Sequence, residues 1–142
     1  MRNRSVPCDT VLPHVVYEDV DAAIEWLTRT LGFVEHYRYG EPTQGAQMRV
    51  GGACVMLRSA RGDSASPREL GRWTQSLTLY VDDVDAHFRR AQAAGAFITA
   101  ELRETMYGER VYSVEDPAGH PWEISQHVRD VAPEEWGARV AQ

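Results

Sequence analysis

From Val11 the run VLPHVVY alternates as a strand does, with Leu12, His14 and Val16 on one side and Val11, Val15 and Tyr17 on the other. The next stretch, EDVDAAIEWLTRTLGF, changes period: Val20, Ile24, Leu27 and Leu31 recur at helical spacing and form one apolar stripe. Asp19 is its N-cap and Gly32 its stop. Three strands are predicted next, about 34–39, 46–50 and 53–59, with Gly51-Gly52 as a hairpin turn between the last two. Residues 60–72, ARGDSASPRELGR, have the composition of a linker loop.

After this loop the pattern starts again. SLTLYVDDVDAHFRRAQAAGAFI repeats LPHVVYEDVDAAIEWLTRTLGFV at an offset of 64, so that Asp83-Val84-Asp85-Ala86 falls on Asp19-Val20-Asp21-Ala22. The helical stripe recurs as Val84, Phe88, Ala91 and Gly95, and three more strands follow at about 98–104, 109–115 and 121–127. The chain is β-α-β-β-β twice, and that repeat constrains the whole architecture. The reading is an α+β fold in one domain: module one at about 10–60, a linker at about 60–72, module two at about 73–127 and a tail at 128–142. Residues 1–10 read as a loose arm, and Pro133 in the tail suits the first turn of a helix.

Composition excludes several classes. With 142 residues, 43% hydrophobic and 25% charged, the chain has the make-up of one globular domain. No apolar run reaches the ~18 residues of a membrane span, and the start lacks the apolar core of a secretory signal, so a cytoplasmic protein without membrane contact is expected. A net charge of −6 without a basic stripe argues against nucleic acid and is compatible with a cationic ligand. The fifteen basic residues are all arginine, which excludes lysine Schiff-base chemistry and a P-loop. Cys8 and Cys54 show no motif spacing; they suggest neither a disulfide scaffold nor a zinc finger, and Cys54 reads as a small buried hydrophobe.

The richest stretch is YGERVYSVEDPAGHPWEISQH, residues 107–127. Asp116-Pro117-Ala118-Gly119 is a turn between two strands. On the second strand Glu123, Ser125 and His127 share one face and Trp122, Ile124 and Gln126 the other.

A doubled βαβββ unit ending in D-P-x-G-H-x-x-E resembles the vicinal oxygen chelate superfamily, which includes glyoxalase I, extradiol dioxygenases, and the fosfomycin and bleomycin resistance proteins. The resemblance spans about residues 10–127 and is nearest to the glyoxalase-like and bleomycin-resistance-like branch. It implies two modules forming an open, cup-shaped mixed sheet with helices outside and a ligand cleft inside, in a homodimer. In metal-using members four inward positions hold the ion, one on the first and one on the last strand of each module. Here those positions carry His14, Met56, Thr78 and Glu123, so two of the four expected donors are replaced. A thioether and a neutral hydroxyl are poor partners for a divalent ion that prefers imidazole and carboxylate.

Anchoring the alternation on these positions predicts a lining of Leu12, His14 and Val16; Cys54, Met56 and Arg58; Ser76, Thr78 and Tyr80; Glu123, Ser125 and His127. The opposite parity, which includes Val15, Leu57, Leu79 and Ile124, is apolar and suits packing under the helices. Within the lining, Glu123 is a candidate hydrogen-bond partner for His14, Arg58 a candidate anion clamp and Tyr80 a candidate stacking surface. The expected function is metal-independent binding of a small molecule, an aromatic or cationic natural product, with no cofactor. The alternatives are a metal-dependent lyase or dioxygenase in which His14 and Glu123 hold the ion, and an interaction module with a vestigial cleft.

Overall fold

The computed structural model describes residues 1–8 and 10–142. It contains two four-stranded mixed sheets with the same topology. The first is built from β1 (His14–Tyr17), β2 (Val34–Tyr39), β3 (Gly45–Val50) and β4 (Ala53–Ser59), in the order β1-β4-β3-β2. The second comprises β5 (Leu77–Tyr80), β6 (Phe97–Glu104), β7 (Glu109–Glu115) and β8 (Pro121–His127), in the order β5-β8-β7-β6. In each sheet the first strand runs parallel to the last, and the other pairs are antiparallel hairpins. The doubled unit in the sequence is therefore a doubled unit in space. The chain divides into two compact units, 1–73 with 117–119, and 74–116 with 120–142.

Each sheet carries one helix. In the first unit α1 (Val20–Trp26) runs into a π-helical turn, Leu27–Leu31, and in the second α3 (Val84–Ala93) is regular. Both start on an aspartate whose carboxylate accepts a backbone N–H three residues on: Asp19 from Ala22 and Asp83 from Ala86, each at 3.0 Å. Gly32 ends the first helix at φ 82°, a left-handed conformation that a side chain would resist. The 60–72 segment is not wholly a loop. Ser66-Pro67 opens a single turn, α2 (Pro67–Leu70), because proline at the first helical position already has the required φ.

The helices cover the apolar parity of the sheets. Tyr112, wholly buried on β7, has its ring 5.0 Å from that of Phe88 on α3 and its hydroxyl 2.7 Å from His87 Nδ1. Ile124, opposite Tyr112 in the register, is also wholly buried, and Trp122 is nearly so. In the first unit Val15, Met48 and Leu57 make the equivalent layer beneath α1. Each such side chain contributes about 1.5–3 kcal/mol by leaving water, so the register is fixed: a one-residue slip would turn every one of them outward. The residues of interest for function occupy the other parity. Among the described residues no helix is long and apolar enough to cross a membrane.

Candidate functional site

The parallel strand pairs place the candidate residues side by side. His14 stands opposite Met56 across β1 and β4, and Thr78 opposite Glu123 across β5 and β8. The four positions reached through the repeat thus form two adjacent pairs, one in each module. Arg58 is opposite Val16 and Ser125 opposite Tyr80, two residues along.

In the second unit this face is acidic and partly open. Glu123 is half-buried, and its carboxylate accepts a 3.2 Å bond from Arg103 on β6, whose guanidinium also reaches the Ser113 hydroxyl. Next along β8, Ser125 is buried and its hydroxyl lies 3.5 Å from Glu109 Oε2. Glu109 also bonds His127 Nδ1 at 3.3 Å, and the second ring nitrogen of His127 is 2.7 Å from Asp130. Bonded first to Asp130 and then to Glu109, His127 has its pKa raised above the usual histidine value. Thr78 is exposed, and Tyr80 presents a ring that is 63% exposed. Partial burial, followed by the nearby Glu109 charge, raises the Tyr80 hydroxyl, which remains a neutral donor.

The first unit differs. His14 is exposed, as a hydrated imidazole needs no protein partner, whereas Met56 is buried and Arg58 half-buried. The centre of this face is Gln47, wholly buried and opposite Met56 in the register. Its amide nitrogen donates to the Ser5 carbonyl at 2.9 Å, which leaves Oε1 to accept from His36 Nδ1 at 2.6 Å. Since both Ser5 O and Gln47 Oε1 can only accept, His36 must carry its proton on Nδ1. Tyr37 donates to the Met56 sulfur at 3.8 Å, and Gln47 Nε2 lies 3.6 Å from the same atom.

The two cysteines depart from the expectation that no disulfide forms. Cys8 and Cys54 are joined in a disulfide, with their Cα atoms 5.9 Å apart, so Cys54 is buried but not free. The sequence showed no motif spacing because the bond ties an irregular arm to a strand 46 residues away, a pairing that only the tertiary structure creates. The arm is consequently held against the sheet at two points, Ser5 and Cys8.

These donors do not fit a divalent ion of the kind the superfamily's metal-using members hold. The Met56 sulfur is soft and already hydrogen-bonded, Thr78 offers only a neutral hydroxyl, and Glu123 is drawn to Arg103. Among the described residues, neither unit gathers three or more His, Cys, Asp or Glu side chains in a metal-binding group.

Residues 10–124 match the family model for the glyoxalase/bleomycin resistance protein/dioxygenase superfamily. The chain belongs to this superfamily. It is 36% identical over 137 residues to an uncharacterized protein of Mycobacterium bovis, covering 91% of this chain and 90% of that one. Among solved structures it resembles TioX from Micromonospora sp. ML1, with 32% identity, a TM-score of 0.69, and coverage of 84% of this chain and 99% of TioX. A lactoylglutathione lyase from Agrobacterium tumefaciens shares the fold at a TM-score of 0.64 and 21% identity, over 84% of this chain and 94% of that one. The superfamily fold explains the doubled topology.

Sequence reasoning missed Gln47, His36, Arg103 and Glu109. Alternation had a usable signal for two of them, because Gln47 and Glu109 share parity with Met56 and His127 across the hairpins.

Proposed function

We propose that this protein binds an aromatic, cationic small molecule without using a metal. The observation that carries the reading is the second-unit face, where the exposed Tyr80 ring stands among Glu123, Glu109 and the Ser125 hydroxyl. An aromatic face attracts a cation through its quadrupole, and carboxylates that accept hydrogen bonds add charge complementarity. The net charge of −6 supports the same sign of ligand. Thr78, opposite Glu123 on the same face, contributes a further binding contact, and His127 orients Glu109.

The unfavourable donor set at the four superfamily positions supports the metal-independent form of this reading. A homodimer and a cytoplasmic location belong to the same proposal. Sedimentation equilibrium tests the first, with a mass near 16 kDa refuting it. Cell fractionation tests the second, with recovery in the secreted fraction refuting it.

The binding test is a titration of amphipathic cationic aromatics, with anionic and neutral analogues as controls, against the fluorescence of the four tryptophans. Saturable quenching by the cations, weakened about tenfold or more in Glu123→Gln and Tyr80→Ala, is the expected result. Silence across the series, or equal response to the anionic analogues, would refute the proposal.

A further inference from the structure

Outside the face just described, the first unit holds a basic cleft of about 380 Å³ lined by Arg2, Arg4, Pro7, His36 and Arg49. That volume is within the range of small-molecule sites. Among the described residues no carboxylate lines it and its three guanidiniums form no ion pair. In a chain of net charge −6 such a gathering is conspicuous, because three like charges on one cleft repel unless something holds them together.

Two features do hold them. Arg49 is opposite Cys54 in the β3–β4 register, so the Cys8–Cys54 bond anchors the arm bearing Arg2 and Arg4 beside Arg49. The buried Gln47 amide fixes the arm at Ser5 with one end and the His36 ring with the other. The cationic groups are therefore placed before any ligand arrives, which lowers the ordering cost of binding.

We propose that this cleft is a site for a small oxyanion, a phosphate or phosphate monoester, and that it is complete only while the Cys8–Cys54 disulfide is closed. Guanidinium groups present paired N–H donors matched to a tetrahedral oxyanion. The concave shape and the acidic remainder of the protein suit a small ligand rather than a polyanion backbone. Reduction by a dithiol converts the disulfide to two thiols while the dithiol closes to its own disulfide, passing two electrons and two protons. The arm then keeps only the hydrogen bond from Gln47 to the Ser5 carbonyl, too weak alone to hold Arg2 and Arg4 beside Arg49. This site does not depend on the cation-binding reading, since the two share no residue.

The test is calorimetric titration of the oxidised full-length protein with inorganic phosphate and with phenyl phosphate. Saturable 1:1 binding with a Kd at or below about 1 mM is expected. Affinity should fall about tenfold in Arg49→Gln, and similarly in the Arg2→Gln/Arg4→Gln double variant. Arg49 is exposed, so its substitution leaves the fold intact, which circular dichroism verifies. Dithiothreitol should weaken wild-type binding as much as the double variant does and should leave the double variant unchanged. Absence of saturable binding, or affinity indifferent to Arg49→Gln, overturns the site. Affinity indifferent to the reductant overturns the latch. Co-sedimentation with phosphatidate vesicles without binding of either soluble phosphate would point to a membrane surface and overturn the small-ligand assignment.

Discussion

Asp116 opens the D-P-x-G-H turn, and the structure gives its carboxylate a bracing role. It is 2% exposed; Oδ1 accepts the His120 backbone N–H at 2.9 Å and Oδ2 accepts the Trp122 indole N–H at 3.2 Å. Both bonds lie inside the β7–β8 connection that sets the register of Glu123 and Ser125. Substituting Asp116→Ala leaves two buried donors unsatisfied, at about 1–3 kcal/mol each, with the removed desolvation of the carboxylate offsetting part of the loss. A net destabilisation of about 3 kcal/mol follows, a large fraction of the ~5–15 kcal/mol that holds a domain together. Asp116→Asn keeps one acceptor oxygen and should lose about half as much. Urea unfolding followed by tryptophan fluorescence and by far-ultraviolet circular dichroism measures both variants, and an unchanged m value shows that the comparison is of stabilities. A loss below about 1 kcal/mol for Asp116→Ala would refute the bracing role and leave this carboxylate available for ligand chemistry.

Other outcomes follow from the same structure. Cys8→Ser opens a loop of 46 residues' separation, and chain entropy sets the loss at up to about 4 kcal/mol, read as a shift in urea midpoint that dithiothreitol reproduces in the wild type. His127, raised by Asp130 and Glu109, stabilises the fold most below the ordinary histidine value of 6.5, and this contribution disappears as pH rises through the elevated folded-state pKa. NMR titration of its ring should show the pKa returning toward 6.5 in Asp130→Asn, and an unmoved pKa would contradict the assignment. Arg103→Ala removes an exposed ion pair with less than about 1 kcal/mol effect on urea stability, yet frees the Glu123 carboxylate and should tighten binding of a cationic aromatic in the fluorescence titration.

The repeat and the alternation made most of this fold legible. Predicted strands at 34–39, 53–59, 109–115 and 121–127 coincide with β2, β4, β7 and β8, and the four positions picked out through the repeat are neighbours in pairs, His14 beside Met56 and Thr78 beside Glu123. What was hidden depends on contacts distant in sequence. Arg103 comes onto the Glu123 face after irregularities in β6 between Ile98 and Arg103 that break simple alternation. Gln47 lies within the run AQMRV, where nothing local reveals a buried amide serving Ser5 and His36. The Cys8–Cys54 bond joins a patternless arm to a strand, so its signal exists only after folding. By contrast the helix at Pro67 had a local signal, Ser66-Pro67 as N-cap and first residue, which the loop-like composition around it masked.

Binding of a cationic aromatic without a metal is tested by comparing that binding before and after exhaustive chelation. Protein purified without chelator is assayed for Ni, Zn, Mn and Fe and titrated with the cationic aromatic that quenches its tryptophan fluorescence; the titration is repeated after EDTA treatment and again after each metal is restored. Substoichiometric metal and one affinity throughout are expected. A stoichiometric ion whose removal abolishes binding, and whose return restores it, would refute metal-independent binding.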